Sequence, residues 1–107
     1  MGTYYKECFV EKIEHYDALE VWSELGTGTK VSLGYDKDES VIKVIYDKED
    51  GPKSLGILSE DDAKNIMPIL KEGWTNIFFG RVLFIGNEKE NGRLKVVIYI
   101  VQKEQKK

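Results

Sequence analysis

Apolar residues in this chain are concentrated in short segments rich in β-branched and aromatic side chains, each bounded by glycine, asparagine or aspartate. That pattern is typical of β-strands. It predicts four clear strands, over residues 30–34, 41–46, 77–85 and 94–101. It also predicts a fifth strand near the N-terminus, over residues 4–13.

Turn-forming residues separate these predicted strands at two points, Asp50-Gly51-Pro52 and Asn91-Gly92. Glycine adopts positive φ without steric cost, and asparagine and aspartate tolerate it. Both sites therefore predict hairpin connections.

The predicted strand 77–85 is apolar on both faces, whereas a sheet with one solvated face would alternate apolar and polar residues. We therefore expect a small, mainly β barrel with a helix packed against it. Gly80 and Gly86 lie where such a strand could bend or bulge. The alternating apolar residues are Phe78, Val82 and Phe84 on one face, and Ile77, Phe79, Leu83 and Ile85 on the other.

A helix is predicted to begin at Ser59, whose hydroxyl can accept a hydrogen bond from the amide of Asp62. An apolar stripe of Ala63, Ile66, Met67 and Leu70 follows, and Gly73 ends it. Pro68 lacks an amide proton, so a kink or an early end is expected near Met67. Residues 17–25 fit either a helical turn or a short bent strand, and the two alternatives stay open.

The size and charge of the chain predict one intracellular domain. Its 107 residues, 41% of them hydrophobic, suffice for one core. A net charge of -3 provides no overall attraction to nucleic acid, and no segment has the length of a membrane span or a signal peptide. We expect a cytoplasmic protein with a barrel domain over residues 1–101 and a mobile charged tail over 102–107.

Catalytic and metal-binding residues are sparse, so no enzyme, cofactor or metal site is predicted. Cys8 alternates with apolar neighbours along a strand, which favours a structural role over a pairing with His15. The acidic run at residues 60–62 complements the dipole of a helix start. The segment 26–30 resembles a phosphate-binding loop but precedes a strand, so a plain turn is expected.

Basic and aromatic residues are interleaved along the chain and could contact phosphates and stack on bases. In a chain that is 33% charged, such lysines also serve simply as solvated surface. They are Lys37, Lys43, Lys53, Lys64 and Arg81, with Tyr16, Tyr35, Tyr46 and Trp74.

The order of elements between residues 25 and 73 resembles a HIRAN domain. A glycine-led strand at 25–33 precedes a short loop, the Val-Ile-Lys-Val strand 41–44, the Leu-Gly-Ile strand around Gly56, and a helix ending at Gly73. The resemblance implies a mainly β fold, namely a modified OB-like or SH3-like β-barrel with one or two short α-helices. It also implies that this barrel captures the free 3′ end of single-stranded DNA.

Position by position, the resemblance places Tyr35 and Asp36 in the DNA-binding loop, with Lys37 beside them. Glu14, His15 and Tyr16 align with an Arg-aromatic-Tyr element, in which only Tyr16 matches. The loop is shorter than in the family and lacks Asn-Pro. A polar position of the family is Ile57 here, and a basic position is Glu60. Loss of basic contacts weakens nucleic-acid affinity.

Two functions follow as hypotheses. The first is a non-enzymatic module that binds single-stranded DNA ends through His15, Tyr16, Tyr35, Asp36 and Lys37. The second is a protein-interaction or self-association domain of the same fold that uses exposed aromatics such as Trp22 or Trp74. The oligomeric state does not follow from the sequence.

Overall fold

The computed structural model describes residues 2–48, 50–74, 77–86 and 93–101. Within these ranges the chain is mainly β, with two short α-helices and two 3-10 helices, as the sequence predicts. The strands are β1 (Gly2–Glu11), β2 (Lys30–Asp36), β3 (Val41–Tyr46), β4 (Lys53–Leu58), β5 (Phe78–Ile85) and β6 (Leu94–Val101). The helices are α1 (Glu60–Ala63) and α2 (Met67–Lys71), and the 3-10 helices are Ile13–His15 and Leu19–Glu24.

The six strands form a closed antiparallel barrel in the order β1-β4-β3-β2-β5-β6, with β6 paired back to β1. Inward side chains from all sides of the ring meet in one core. Ile42, Leu55, Leu94 and Ile98 are completely buried there. Two of the pairings that close the ring are short: β1 pairs with β4 at residues 10–11, and β2 pairs with β5 at residues 30–31.

Strand positions agree closely with the prediction, and the differences have local causes. Strands β3 and β6 match it. Strand β1 ends at Glu11, not at Ile13, because Lys12 adopts a left-handed conformation with φ of 57° and starts a 3-10 turn. Strand β2 continues beyond Gly34 through Tyr35 and Asp36, because both residues pair with β3. These two residues therefore lie on a strand, not in a loop.

The turn predictions are tested where the structure describes the chain. Residues 50–52 connect β3 to β4, and Gly51 has a φ of 138°. Residues 27–28 form a plain turn before β2, as expected. The predicted turn at Asn91-Gly92 and the predicted tail at 102–107 lie outside the described residues.

Among the described residues, neither α-helix packs on the outer face of β5 and β6, contrary to the prediction. Helix α1 packs against β3, and α2 packs against β2. Outward apolar side chains instead cover one another: the rings of Phe79 and Tyr99 stack with centroids 5.1 Å apart. The strand irregularity falls at Leu83, not at a glycine, and Leu83 is 37% exposed.

The helical segment after β4 closes one end of the barrel. The Ser59 hydroxyl accepts the predicted hydrogen bond from the Asp62 amide at 3.1 Å. The helix breaks over residues 64–66, directly before Met67, where the sequence predicts a kink or an early end. Pro68 falls in the first turn of α2, where its missing amide costs no hydrogen bond. Ile66, at the break, is completely buried.

Residues 17–25 form a turn followed by the 3-10 helix Leu19–Glu24. Trp22 is only 8% exposed, and its Nε1 donates a hydrogen bond to the Gly86 carbonyl at 3.1 Å. It is therefore part of the core, and its predicted role as an exposed docking residue is wrong. Trp74, by contrast, is 59% exposed. None of the helices that the described residues form is long and apolar enough to cross a bilayer.

Cys8 lies in the core at 2% exposure, as its position on the strand predicts. Burial, with a further contribution from the Asp62 carboxylate, raises the pKa of its thiol to about 12. At pH 8 we therefore expect the folded protein to react with a thiol reagent such as DTNB only as fast as it unfolds, because the thiolate is the reacting species. Stoichiometric labelling within the mixing time, with the urea-unfolded chain as reference, would contradict this expectation.

Candidate binding groove

A groove of about 840 Å³ lies at one end of the barrel, between the helical segment and the ends of β1, β3 and β4. Its helical side is lined by Ala63 at the end of α1 and by Met67 and Pro68 at the start of α2. Its apolar wall is formed by Val41, Ile57, Leu58, Ala63, Met67 and Pro68.

Charged side chains surround this apolar wall, and their signs balance. Carboxylates come from the end of β1 and the start of α1, and ammonium groups come from the turn after β1 and from the helical segment. The carboxylates are Glu11, Glu60 and Asp61, and the ammonium groups are Lys12, Lys64 and Lys71. The groove therefore suits a ligand with both apolar and ionic or hydrogen-bonding groups.

The rim of the groove contains two residues in left-handed backbone conformation. Lys12 has a φ of 57° and Ser40 a φ of 55°, and within the described ranges these are the non-glycine residues with positive φ. Such a conformation costs about 1–2 kcal/mol per residue. Strained positions of this kind are concentrated at binding and catalytic sites, where the surrounding fold maintains them. Lys12 directly follows β1, and Ser40 is the last residue of the turn between β2 and β3. Each residue therefore changes the direction of the backbone at the rim of the groove.

Tyr35 and Lys71 form a cation–π pair beside the groove. The Lys71 ammonium, which lines the groove, lies 5.7 Å from the centre of the Tyr35 ring. The ring is half-buried and packs against the core. Helix α2 packs against β2, which holds the two side chains together.

Asp36 points to the opposite face of β2 from Tyr35, because consecutive strand residues alternate. Its carboxylate pairs with Lys43 Nζ at 3.1 Å and accepts hydrogen bonds from the amides of Asp38 and Glu39 at 2.9 and 3.3 Å. The hydrogen bond from Lys43, followed by these amides, lowers the pKa of Asp36 despite some desolvation.

Tyr16 joins this cluster from the turn after the first 3-10 helix. Lys43 Nζ lies 5.6 Å from the centre of its ring, and the Tyr16 hydroxyl donates to Glu39 at 3.4 Å. Desolvation and the Glu39 charge raise the pKa of Tyr16. The sequence-predicted residues Tyr16 and Asp36 are thus brought together around Lys43, where they are already engaged with one another.

The remaining predicted site residues point into solvent. The His15 side chain is 68% exposed, with Nε2 3.6 Å from a Glu14 carboxylate oxygen. Cys8 lies in the core, so the structure does not pair it with His15. Lys37 is exposed in the turn between β2 and β3. Of the five predicted residues, Tyr35 meets the groove through Lys71, and Asp36 lies directly opposite the groove residue Val41 in the β2–β3 register.

Sequence reasoning missed Lys12 and Lys71 as groove residues. A signal for Lys71 was present, since Lys64, Pro68 and Lys71 follow the helical spacing that places residues on one face. Lys12 has no such signal, because its position depends on the left-handed turn. Ile57 and Glu60, where this chain departs from the HIRAN pattern, both line the groove. Within the described ranges, no three His, Cys, Asp or Glu side chains are grouped to hold a metal ion.

Comparison with known proteins identifies a fold relative. The crystal structure of a protein from Lactobacillus plantarum superposes with a TM-score of 0.71, covering 94% of this chain and 95% of that one, at 16% sequence identity. No protein-family model and no curated protein matches the chain. At this identity the likeness shows a shared barrel fold alone, and function rests on the groove itself.

Proposed function

We propose that this protein is a non-enzymatic binding domain that holds the 3′ end of single-stranded DNA in the groove. The observation that carries the proposal is the Tyr35–Lys71 pair, which places an aromatic ring and a cation side by side at a groove with an apolar wall. Stacking of a base on an aromatic side chain contributes about 1–3 kcal/mol, and a neighbouring cation binds phosphate. The HIRAN resemblance, which also includes Tyr35, supports the same ligand.

The charged side chains of the groove determine how tightly single-stranded DNA should bind and which form of its 3′ end should be preferred. Lys12, Lys64 and Lys71 provide few phosphate contacts, so binding should be weak and only moderately sensitive to salt. Glu60 and Asp61 would repel a terminal phosphate, whereas a carboxylate accepts a hydrogen bond from a terminal hydroxyl. A 3′-hydroxyl end should therefore bind more tightly than a 3′-phosphate end.

Reversing the charge of Lys71 should weaken binding of a 3′-hydroxyl oligonucleotide by roughly tenfold or more. The Lys71→Glu change removes the cation beside Tyr35 and adds a charge that repels phosphate. Fluorescence anisotropy at low salt, with 3′-hydroxyl and 3′-phosphate oligonucleotides, measures the effect.

Lys30→Glu is the matched control, because it makes the same charge change at an exposed residue outside the groove lining, at the start of β2 and roughly 17 Å along the strand from Tyr35. It should leave affinity within about twofold when both variants are compared at about 0.1 M salt, where the Debye length is about 10 Å. Absence of binding by the unmodified protein at low salt would reject the proposal. An equal loss of affinity in both variants would show that the oligonucleotide does not bind in the groove.

A second candidate function is a protein-interaction domain of the same fold that does not bind nucleic acid. It is favoured by apolar side chains that the barrel leaves uncovered, including Trp74 at 59% exposure, Tyr4 at 57% and Phe9 at 44%. Tyr4 and Phe9 both lie on the outward side of β1, and exposed apolar residues grouped on one surface are typical of interaction sites.

A further inference from the structure

An exposed phenylalanine with two cations beside its ring lies on the outward side of β1. Phe9 is 44% exposed. The Lys95 ammonium lies 5.3 Å from the centre of its ring, and the central guanidinium carbon of Arg93 lies 5.8 Å from it. Within the described ranges, Phe9 is the one ring that has two such cations. These three residues are here called the Phe9 patch.

The Phe9 patch is continuous with the groove through the end of β1. Phe9 and Glu11 lie on either side of the buried Val10, so both point outward. Glu11 lines the groove, and Phe9 lies about 7 Å away along the strand. The β1–β6 register, continued by one residue beyond Leu94, places Arg93 opposite Glu11. The groove and the Phe9 patch are therefore parts of one outer surface.

Both cations of the Phe9 patch retain donors for a phosphate. Glu7 binds Lys95 at 2.9 Å, but an ammonium group has three donors. Arg93 is exposed, and a guanidinium group has five donors in a planar fork that matches phosphate. An exposed ring with cations around it suits a ligand in which bases alternate with phosphates, because the bases stack on the ring and the phosphates bind the cations.

We infer that the DNA strand whose 3′ end lies in the groove continues in the 5′ direction past Glu11 onto the Phe9 patch. This inference rests on the proposed function and extends the site from the terminal nucleotide to several nucleotides. Phosphates of a stacked strand are about 3.4 Å apart, so the distance of about 7 Å from Glu11 to Phe9 corresponds to roughly two nucleotides. One base then stacks on Phe9 while neighbouring phosphates bind the two cations.

A single DNA strand fits the Phe9 patch better than an anionic membrane does. Glu7 and Glu11 lie on either side of Phe9 on the same outward face of β1. A planar membrane would meet both carboxylates together with the cations, and the carboxylates would be repelled. A flexible strand can instead place its phosphates on the cations and a base on the ring.

The test is fluorescence anisotropy of the full chain at about 0.1 M salt with 3′-hydroxyl oligonucleotides of about three and about ten nucleotides. The unmodified protein should bind the longer strand roughly tenfold more tightly, because only that strand reaches from the groove to the Phe9 patch. Phe9→Ala should weaken binding of the longer strand roughly fivefold or more by removing the stacked base. Arg93→Glu should weaken it roughly tenfold by repelling phosphate. Both variants should bind the shorter strand within about twofold of the unmodified protein.

Matched controls exist for both substitutions. Tyr4→Ala removes another exposed ring from the outward side of β1, about 15 Å along the strand from Phe9. Lys30→Glu reverses an exposed charge on β2, three strand spacings or about 15 Å from Phe9. Each control should leave the affinity for both strands within about twofold. Circular dichroism of every variant checks that it folds.

The two strand lengths separate failure of the Phe9 patch from failure of the groove. Equal affinity of the unmodified protein for both lengths would overturn the inference and leave the proposed function standing. So would a gain with length that Phe9→Ala and Arg93→Glu both preserve. Absence of binding of the shorter strand would instead reject the groove as the site of the 3′ end. Anionic vesicles that bind the unmodified protein but not Phe9→Ala, with oligonucleotide affinity unchanged, would assign the patch to a membrane and also overturn the inference.

Discussion

Replacing Gly56 by alanine is expected to lower the free energy of unfolding by about 3 kcal/mol. Strand β4 crosses β1 at this residue so closely that an added Cβ would lie 2.5 Å from the Glu11 carbonyl oxygen and 2.5 Å from Val10 Cγ1. The carbonyl belongs to the backbone of a paired strand, so it cannot rotate away as a side chain could. Urea denaturation followed by circular dichroism measures the change.

Gly26→Ala is the matched control for this substitution. A Cβ at Gly26 meets nothing within 4 Å, and the residue has no positive φ that alanine would strain. Its effect should stay within about 0.5 kcal/mol, as at other open surface positions. Near-equal unfolding midpoints and slopes for the two variants would show that β1 and β4 are not packed this tightly.

Truncating Ile66 to alanine is expected to cost about 3 kcal/mol, and Ile66→Val about 1 kcal/mol. The Ile66 side chain is completely buried at the break between α1 and α2, where it anchors the helical segment to the barrel. The lost contacts leave a cavity that the short helices fill only in part. Both substitutions leave the backbone break in place. The difference in stability between the two variants therefore reports the amount of buried side chain that each one removes.

Asn65→Ala controls for the adjacent exposed position and should change stability by less than about 0.5 kcal/mol. Because Lys64 and Lys71 reach the groove from the segment that Ile66 anchors, Ile66→Ala should also weaken binding of a 3′-hydroxyl oligonucleotide. Full stability in Ile66→Ala would mean that the segment is not held through this side chain.

The groove could be predicted from sequence only in part. Tyr35 was identified through the HIRAN resemblance, and the structure places it beside a groove lysine. Asp36 was identified with it, but strand alternation carries Asp36 to the other face, where it holds Lys43. The sequence pattern did not show this separation, because it ended β2 at Gly34 and treated both residues as loop.

Two further errors have the same origin, namely contacts between residues far apart in the chain. Trp22 was interpreted as exposed, yet it donates to the carbonyl of Gly86, 64 residues away. The second apolar face of β5 was expected to need a covering helix, yet neighbouring outward side chains such as Tyr99 shield it in part. The spacing of residues along the chain does not show that Trp22 meets Gly86 or that Tyr99 stacks on Phe79.

The sequence by itself determined the mainly β class, five of the six strands, the hairpin at residues 50–52 and the helix start at Ser59. Each depends on side-chain period, turn chemistry or capping within a few residues, which short-range sterics and hydrogen bonds govern. Only the tertiary structure decided the ring order and the groove. These arise where strands distant in sequence become neighbours, and their register is set by packing of the whole core, which no short segment encodes.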